Sequence, residues 1–245
     1  MRRPALRPTL FAALLLGLLV VLVQLGQWQL ERRVWKQALI AQVAANASAA
    51  PVAPLPPAEW ATLDDGLAYR RVQLTGQFDH ARETCVQAVT VHGPGFWVLT
   101  PLQQANGRWV LVNRGFVPPQ DCDPARRASG QTPGEVTVVG LLRLSEPKGG
   151  FLRDNDPQGD RWYARDVAAI GAARGLPVEQ LAPYFVDAEH GVEGGPIGGL
   201  TVLQFRDHHL IYALTWFGLA GLAALGLALL LRPALRRRAP THGIR

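Results

Sequence analysis

Hydrophobic and polar positions divide the chain into three regions. Leu10 to Leu30 (LFAALLLGLLVVLVQLGQWQL) runs for 21 residues without a charge, and Leu210 to Leu231 (LIYALTWFGLAGLAALGLALLL) for 22. A hydrocarbon core of about 30 Å needs roughly 20 helical residues, so either run can span a bilayer. Lipid offers backbone N–H and C=O groups no partner, which makes both runs transmembrane helices. Residues 31–50 extend the first helix, with Trp28, Val34, Trp35 and Leu39 along one side. Residues 51–68 form a connector whose prolines (PVAPLPPAEW) forbid continuous helix.

Residues 69–200 change to the alternation of strands. YRRVQLTGQF (69–78), TCVQAVTV (84–91), FWVLTPL (96–102), RWVLVNRGF (108–116), EVTVVGLLRL (135–144) and PYFVDAE (183–189) place β-branched and aromatic residues between turn signals. His92-Gly93-Pro94-Gly95 and Asn106-Gly107 mark hairpin turns, the second a favoured pair. One short helix is predicted at 165–174, with Asp166 near its start and Gly175 and Pro177 after its end. GVEGGPIGGL (191–200) reads as a loop, and 201–209 returns the chain to the second span. No internal repeat is present. The pattern predicts an α+β membrane protein in which two transmembrane helices flank an extracytoplasmic antiparallel β-barrel or sandwich with one short helix. In the second span Ala220, Ala224 and Ala228 form a small-residue ridge, which predicts close packing of the two helices.

Charge orients this arrangement. The formal net charge is +6 and the pI about 10. Eight of the 25 basic residues lie in the tails 1–9 and 232–245, which hold no acid; the other 17 share residues 31–209 with all 19 acids. A high pI often points to nucleic acid, but basic short tails that remain in the cytoplasm explain this one. Both termini are therefore expected in the cytoplasm and residues 46–205 outside, with ERRVWK weakly opposing. The first run is too long for a cleaved signal peptide, and AANASAA lies too far downstream to be its cleavage site. Nearly all basic residues are Arg, which suggests a GC-rich bacterial genome, an inner-membrane location and a periplasmic central domain.

Catalytic motifs are absent. Asp154-Asn155-Asp156 opens like a calcium loop, but Pro157 interrupts it and Arg165 occupies the position of the bidentate glutamate. There is no phosphate loop, G-x-S-x-G or H-E-x-x-H. Cys85 could be drawn with His80 or His92 as nucleophile and base, yet nothing marks an electropositive site that would activate the thiol. No enzymatic activity is predicted. Cys85 and Cys122 are permitted a disulfide outside the cytoplasm; a simple meander would put them at opposite ends of the sheet, and the sequence leaves the pairing open.

The remaining chemistry is DHHLIYALTWF (207–217). On a helix His209, Tyr212 and Trp216 share one face, and His208 sides with Tyr212 and Thr215. Tyr and Trp at a span end commonly form an interfacial belt; a neutral imidazole there can also ligate a metal or haem. Both readings stand on the residues alone.

GQWQLERRVWKQALI, VQLTGQFDH, GPGFWVLTPL, WVLVNRGFVP, NDPQGDRWYARD and HLIYALTWF together, in this order, resemble the Surfeit locus protein 1 family. The resemblance runs from Gly26 to Phe217. It implies an assembly factor of the terminal haem–copper cytochrome c oxidase that holds or passes haem a while the catalytic subunit matures, with haem a synthase a possible donor. It implies His209 as the metal ligand, with Tyr212, Trp216 and Trp28 against the ring. Arg114, in the family's VNRG, becomes a candidate partner for a haem propionate, its alternative being a structural salt bridge. His208 stands where the family usually has asparagine and could assist or compete; Phe116 replaces the usual tryptophan. A membrane scaffold that stabilises oxidase subunits without touching a cofactor is the competing function.

Overall fold

The structure is a computed structural model that describes residues 6–147 and 153–236. The arginines at positions 2, 3, 237, 238 and 245, on which the orientation leans, lie outside the described residues, as do the side chains of Arg7 and Arg236. Two compact units are present: the long helical segments with residues 204–208, and residues 42–203.

The helical unit contains α1 (Leu6–Ser48) over most of its length and α3 (His209–Arg236). Both are long and apolar enough to cross a membrane. They pack through Leu22, Ala220 and Ala223, with Leu19, Val23 and Trp216 against this cluster. A methyl group on Gly26 would stand 2.5 Å from the Phe217 ring, so the absence of a side chain there admits the aromatic. The predicted ridge is displaced. Ala213, Ala220 and Ala223 are buried, whereas Ala224 is half-buried and Ala228 exposed. Spacings of seven and three follow the seam of a left-handed helix pair; a strict i, i+4 row drifts off that seam.

The second unit is a barrel. Its strands are β1 (Arg71–Phe78), β2 (Thr84–Thr90), β3 (Gly93–Gln103), β4 (Trp109–Val117), β5 (Glu135–Leu144) and β6 (Leu181–Ala188). They follow the order β1-β5-β6-β4-β3-β2, and a further β1–β3 pairing (Gln77↔Gln103, Phe78↔Leu102) closes β1, β5, β6, β4 and β3 into a ring. β2 is appended to β3. Closure satisfies strand edges that an open sheet would expose.

One pairing departs from the antiparallel expectation: β4 and β6 run parallel. Alternation reports which face each side chain takes but not which strand lies alongside. β6 enters the sheet antiparallel to β5 and must then run with β4; the long connection from 118 to 180 allows the crossover that a parallel pair needs. The central position of β4 agrees with its unbroken burial.

Val72, Leu74, Leu102, Val110, Val112, Leu142, Tyr184 and Val186 fill the barrel, with Leu55 and Trp60 of the connector against them. Burial pushes the Tyr184 phenol up to about 12. Outside, α2 (Val167–Ala173) covers a second core through Val167 and Ile170, which meet Leu99, Leu111 and Phe185. Asp166 caps α2 by accepting from Ala169 N at 3.1 Å. Asp156, at the rejected calcium loop, accepts instead from Gly159 N and pairs with Arg161.

Cys85 and Cys122 form a disulfide. The meander argument fails because β2 is offset: Gln87 pairs with Phe96 on β3, and Phe96 pairs with Val117 at the end of β4. Cys85 thus sits close to the row where β4 ends, and a few residues carry Cys122 across. No free thiol remains for the drawn nucleophile.

Candidate functional site

His209 is the first residue of α3. The first N–H groups of a helix lack intrahelical partners, and Asp207 supplies one by accepting from His209 N at 3.1 Å. The imidazole turns toward α1, where Nδ1 lies 2.7 Å from Oε1 of Gln29. An amide oxygen only accepts, so Nδ1 is the donor in this bond. The bond to Gln29 thus occupies Nδ1 and leaves Nε2 as the ring nitrogen not engaged by it.

Charged groups collect around this end of the helix pair. Arg33 stands 4.0 Å from Asp207, Lys36 lies 5.2 Å over the Phe205 ring and Arg32 4.5 Å over Trp35. Two turns further along α3, Trp216 packs against the Leu22–Ala220–Ala223 cluster. Seven helical positions bring Trp216 back within about 20° of His209, whereas three leave Tyr212 about 60° away. Tyr212 is accordingly 56% exposed, and Trp28 50%; His208 is exposed. The structure thus sets His209 and Trp216 toward α1 and leaves Tyr212, Trp28 and His208 outward.

Arg114 belongs to the barrel unit. It is buried, donates to the carbonyl of Gly130, lies 3.3 Å from Nδ1 of His80 and stacks 5.1 Å from the Phe78 ring centroid. Burial lowers its pKa from the ordinary guanidinium value and lowers that of His80 from the ordinary imidazole value. Its neighbours in VNRG are structural. Asn113 donates to Asp187 at 2.8 Å and accepts from Gly115 N at 3.2 Å. Gly115 has φ 129°, and a side chain there would strike the backbone of Ile197.

Two groups escaped the sequence reading. Gln29 is a polar residue in an apolar run, and that misplacement was its only signal. Asp187, 4% exposed, accepts from Arg143 at 2.7 Å, Arg165 at 3.3 Å, Thr201 at 3.0 Å and Asn113. Nothing in the linear sequence links residues from four separate segments. Among the described residues no three His, Cys, Asp or Glu side chains converge to hold a metal ion. A metal at His209 would therefore need its other ligands from elsewhere, as a porphyrin provides.

Two helices of spanning length packed through small residues, together with a five-stranded closed barrel, define a protein that joins a β-barrel to a pair of long apolar helices. The chain belongs to the SURF1 family, whose match covers residues 16–221. It is 38% identical over 215 residues to Surfeit locus protein 1 of Rattus norvegicus and 39% over 215 residues to that of Mus musculus. To that of Homo sapiens it is 38% identical over 217 residues. These matches cover 80% of this chain and 67%, 67% and 69% of the respective relatives.

Proposed function

We propose that this protein is a non-enzymatic assembly factor for the terminal haem–copper cytochrome c oxidase, holding haem a transiently for the catalytic subunit, with a haem a synthase as donor. Family membership supports the assembly role, and the His209–Gln29 hydrogen bond carries the haem reading. Bound haem would supply an iron centre that accepts one nitrogen donor. The donor set fits, since an imidazole held by Gln29 through Nδ1 would offer Nε2 to that iron. Gln29 orients the ring, Asp207 holds the start of α3, and Trp216 gives an apolar surface on the same face. The outward Tyr212 and Trp28 are available to a flat apolar ligand, and His208 is secondary. In this reading α1 and α3 cross a bacterial inner membrane, both tails are cytoplasmic and the barrel is periplasmic.

The scaffold alternative needs the same helices and no cofactor. Coexpression with the haem a pathway followed by optical spectroscopy separates the two. The purified protein is expected to show a Soret band that His209→Ala removes while the chain stays folded and inserted, and His208→Asn is expected to be nearly silent. Parent protein without a Soret band, combined with normal oxidase maturation, would leave the scaffold.

A further inference from the structure

The barrel wall opens beyond the end of β6. That strand stops at Ala188, paired with Gly140, while β5 extends back to Glu135. Glu189 N still donates to the Val139 carbonyl at 3.0 Å, and residues 135–138 of β5 then have β1 on one side and no strand on the other among the described residues. On the opposite flank β4 continues to Val117, past its last pairing with β6 at Asn113↔Asp187, and there Phe116 pairs with Ile197 of the loop that follows β6, so the gap lies between β5 and that loop. The cavity in this gap measures about 460 Å³, within the range of roughly 300–1,000 Å³ found for small-molecule sites. Its lining includes Phe78, Arg114, Val136, Val138, Ala188 and Val192.

Strand alternation explains why a cation lies here. Val72 and Leu74 of β1 and Val110 and Val112 of β4 point into the barrel. The same period of two carries Phe78 and Arg114 to the inside of its open end. Arg114 is only 5% exposed. Its partners are the Gly130 carbonyl, an imidazole nitrogen and the face of Phe78. Glu83, whose field reaches it, is already paired with Arg127, and among the described residues Arg114 forms no ion pair. A cation so placed gives up most of its hydration without a countercharge, which is costly unless an anion joins it. Burial keeps His80 toward its neutral form, leaving one fixed positive charge beside an apolar wall.

We propose that this opening binds a small amphipathic monocarboxylate, with the carboxylate on Arg114 and the apolar body against Phe78, Val136 and Val138. A guanidinium matches the planar carboxylate, and a single cation suits a single negative charge. The site does not rest on the haem reading, since no residue of the helix ends takes part.

The test is ¹⁹F NMR of 3-(4-fluorophenyl)propionate with the full chain in maltoside micelles, against micelles alone and against the isosteric amide. The acid is expected to bind saturably and the amide about tenfold more weakly, the loss of one charge-assisted contact. Arg114→Gln should weaken the acid by a similar factor. Since Arg114 is buried and its replacement perturbs the barrel's own contacts, Val192→Trp at the rim provides a second arm: it should block the acid with the near-UV circular dichroism unchanged. Equal binding of acid and amide, a response no greater than that of empty micelles, or full binding by folded Val192→Trp would overturn the proposal.

Discussion

Gln29 and His209 are 180 positions apart, and a single hydrogen bond decides which nitrogen of the imidazole is available. Gln29→Leu keeps the bulk and removes the acceptor. In the full chain, ¹⁵N shifts of His209 should report protonated Nδ1 in the parent and a mixture of tautomers in the variant. An unchanged tautomer would show that Gln29 does not set it. Asp187 makes a different point at the same scale. Its carboxylate faces two arginines in a buried position, so Asp187→Ala should cost about 3–5 kcal/mol, since removing one partner leaves buried charge uncompensated. Denaturant unfolding of the barrel unit checks this, and a cost below 1 kcal/mol would mean that water reaches the arginines.

Among the elements, the helix pair is the most exposed to a single substitution. The face of α1 that meets α3 carries Leu22 and Gly26, and Phe217 occupies the space left by the glycine. Gly26→Leu should force the helices apart and weaken cysteine cross-linking between α1 and α3. Ala228→Leu, on an exposed position, should leave cross-linking intact. If both variants cross-link like the parent, the contact at Phe217 contributes little to association. In a bilayer, small residues at this contact would matter because helices surrounded by lipid gain no hydrophobic driving force from pairing and depend on close packing.

The whole molecule combines a closed barrel with two apolar helices, and the orientation proposed for it rests on the basic tails. Reporter fusions at Pro57 or Gly194 should behave as periplasmic, and a fusion to the C-terminal tail as cytoplasmic. A cytoplasmic signal at either internal site would reverse the topology and place His209 at the opposite membrane surface from the one the proposed haem transfer requires.

What the sequence by itself determined is local. Apolar length marked α1 and α3, period-two alternation marked six strands, and Asp166 with Gly175 bracketed α2, because hydrophobic periodicity and capping act over a few residues. The order of short motifs determined family membership. Only the tertiary structure decided the neighbours: the parallel β4–β6 pair, the β1–β3 closure, the disulfide, the Asp187 cluster and the bond from Gln29 to His209. Alternation assigns a side chain to a face but leaves strand order and stagger free, and helical periodicity names a face without naming what packs on it. The same limit explains Arg114, whose motif was legible while its burial without an acid at the barrel's open end was not. That environment is made by segments far apart in sequence, and chain folding alone brings them together.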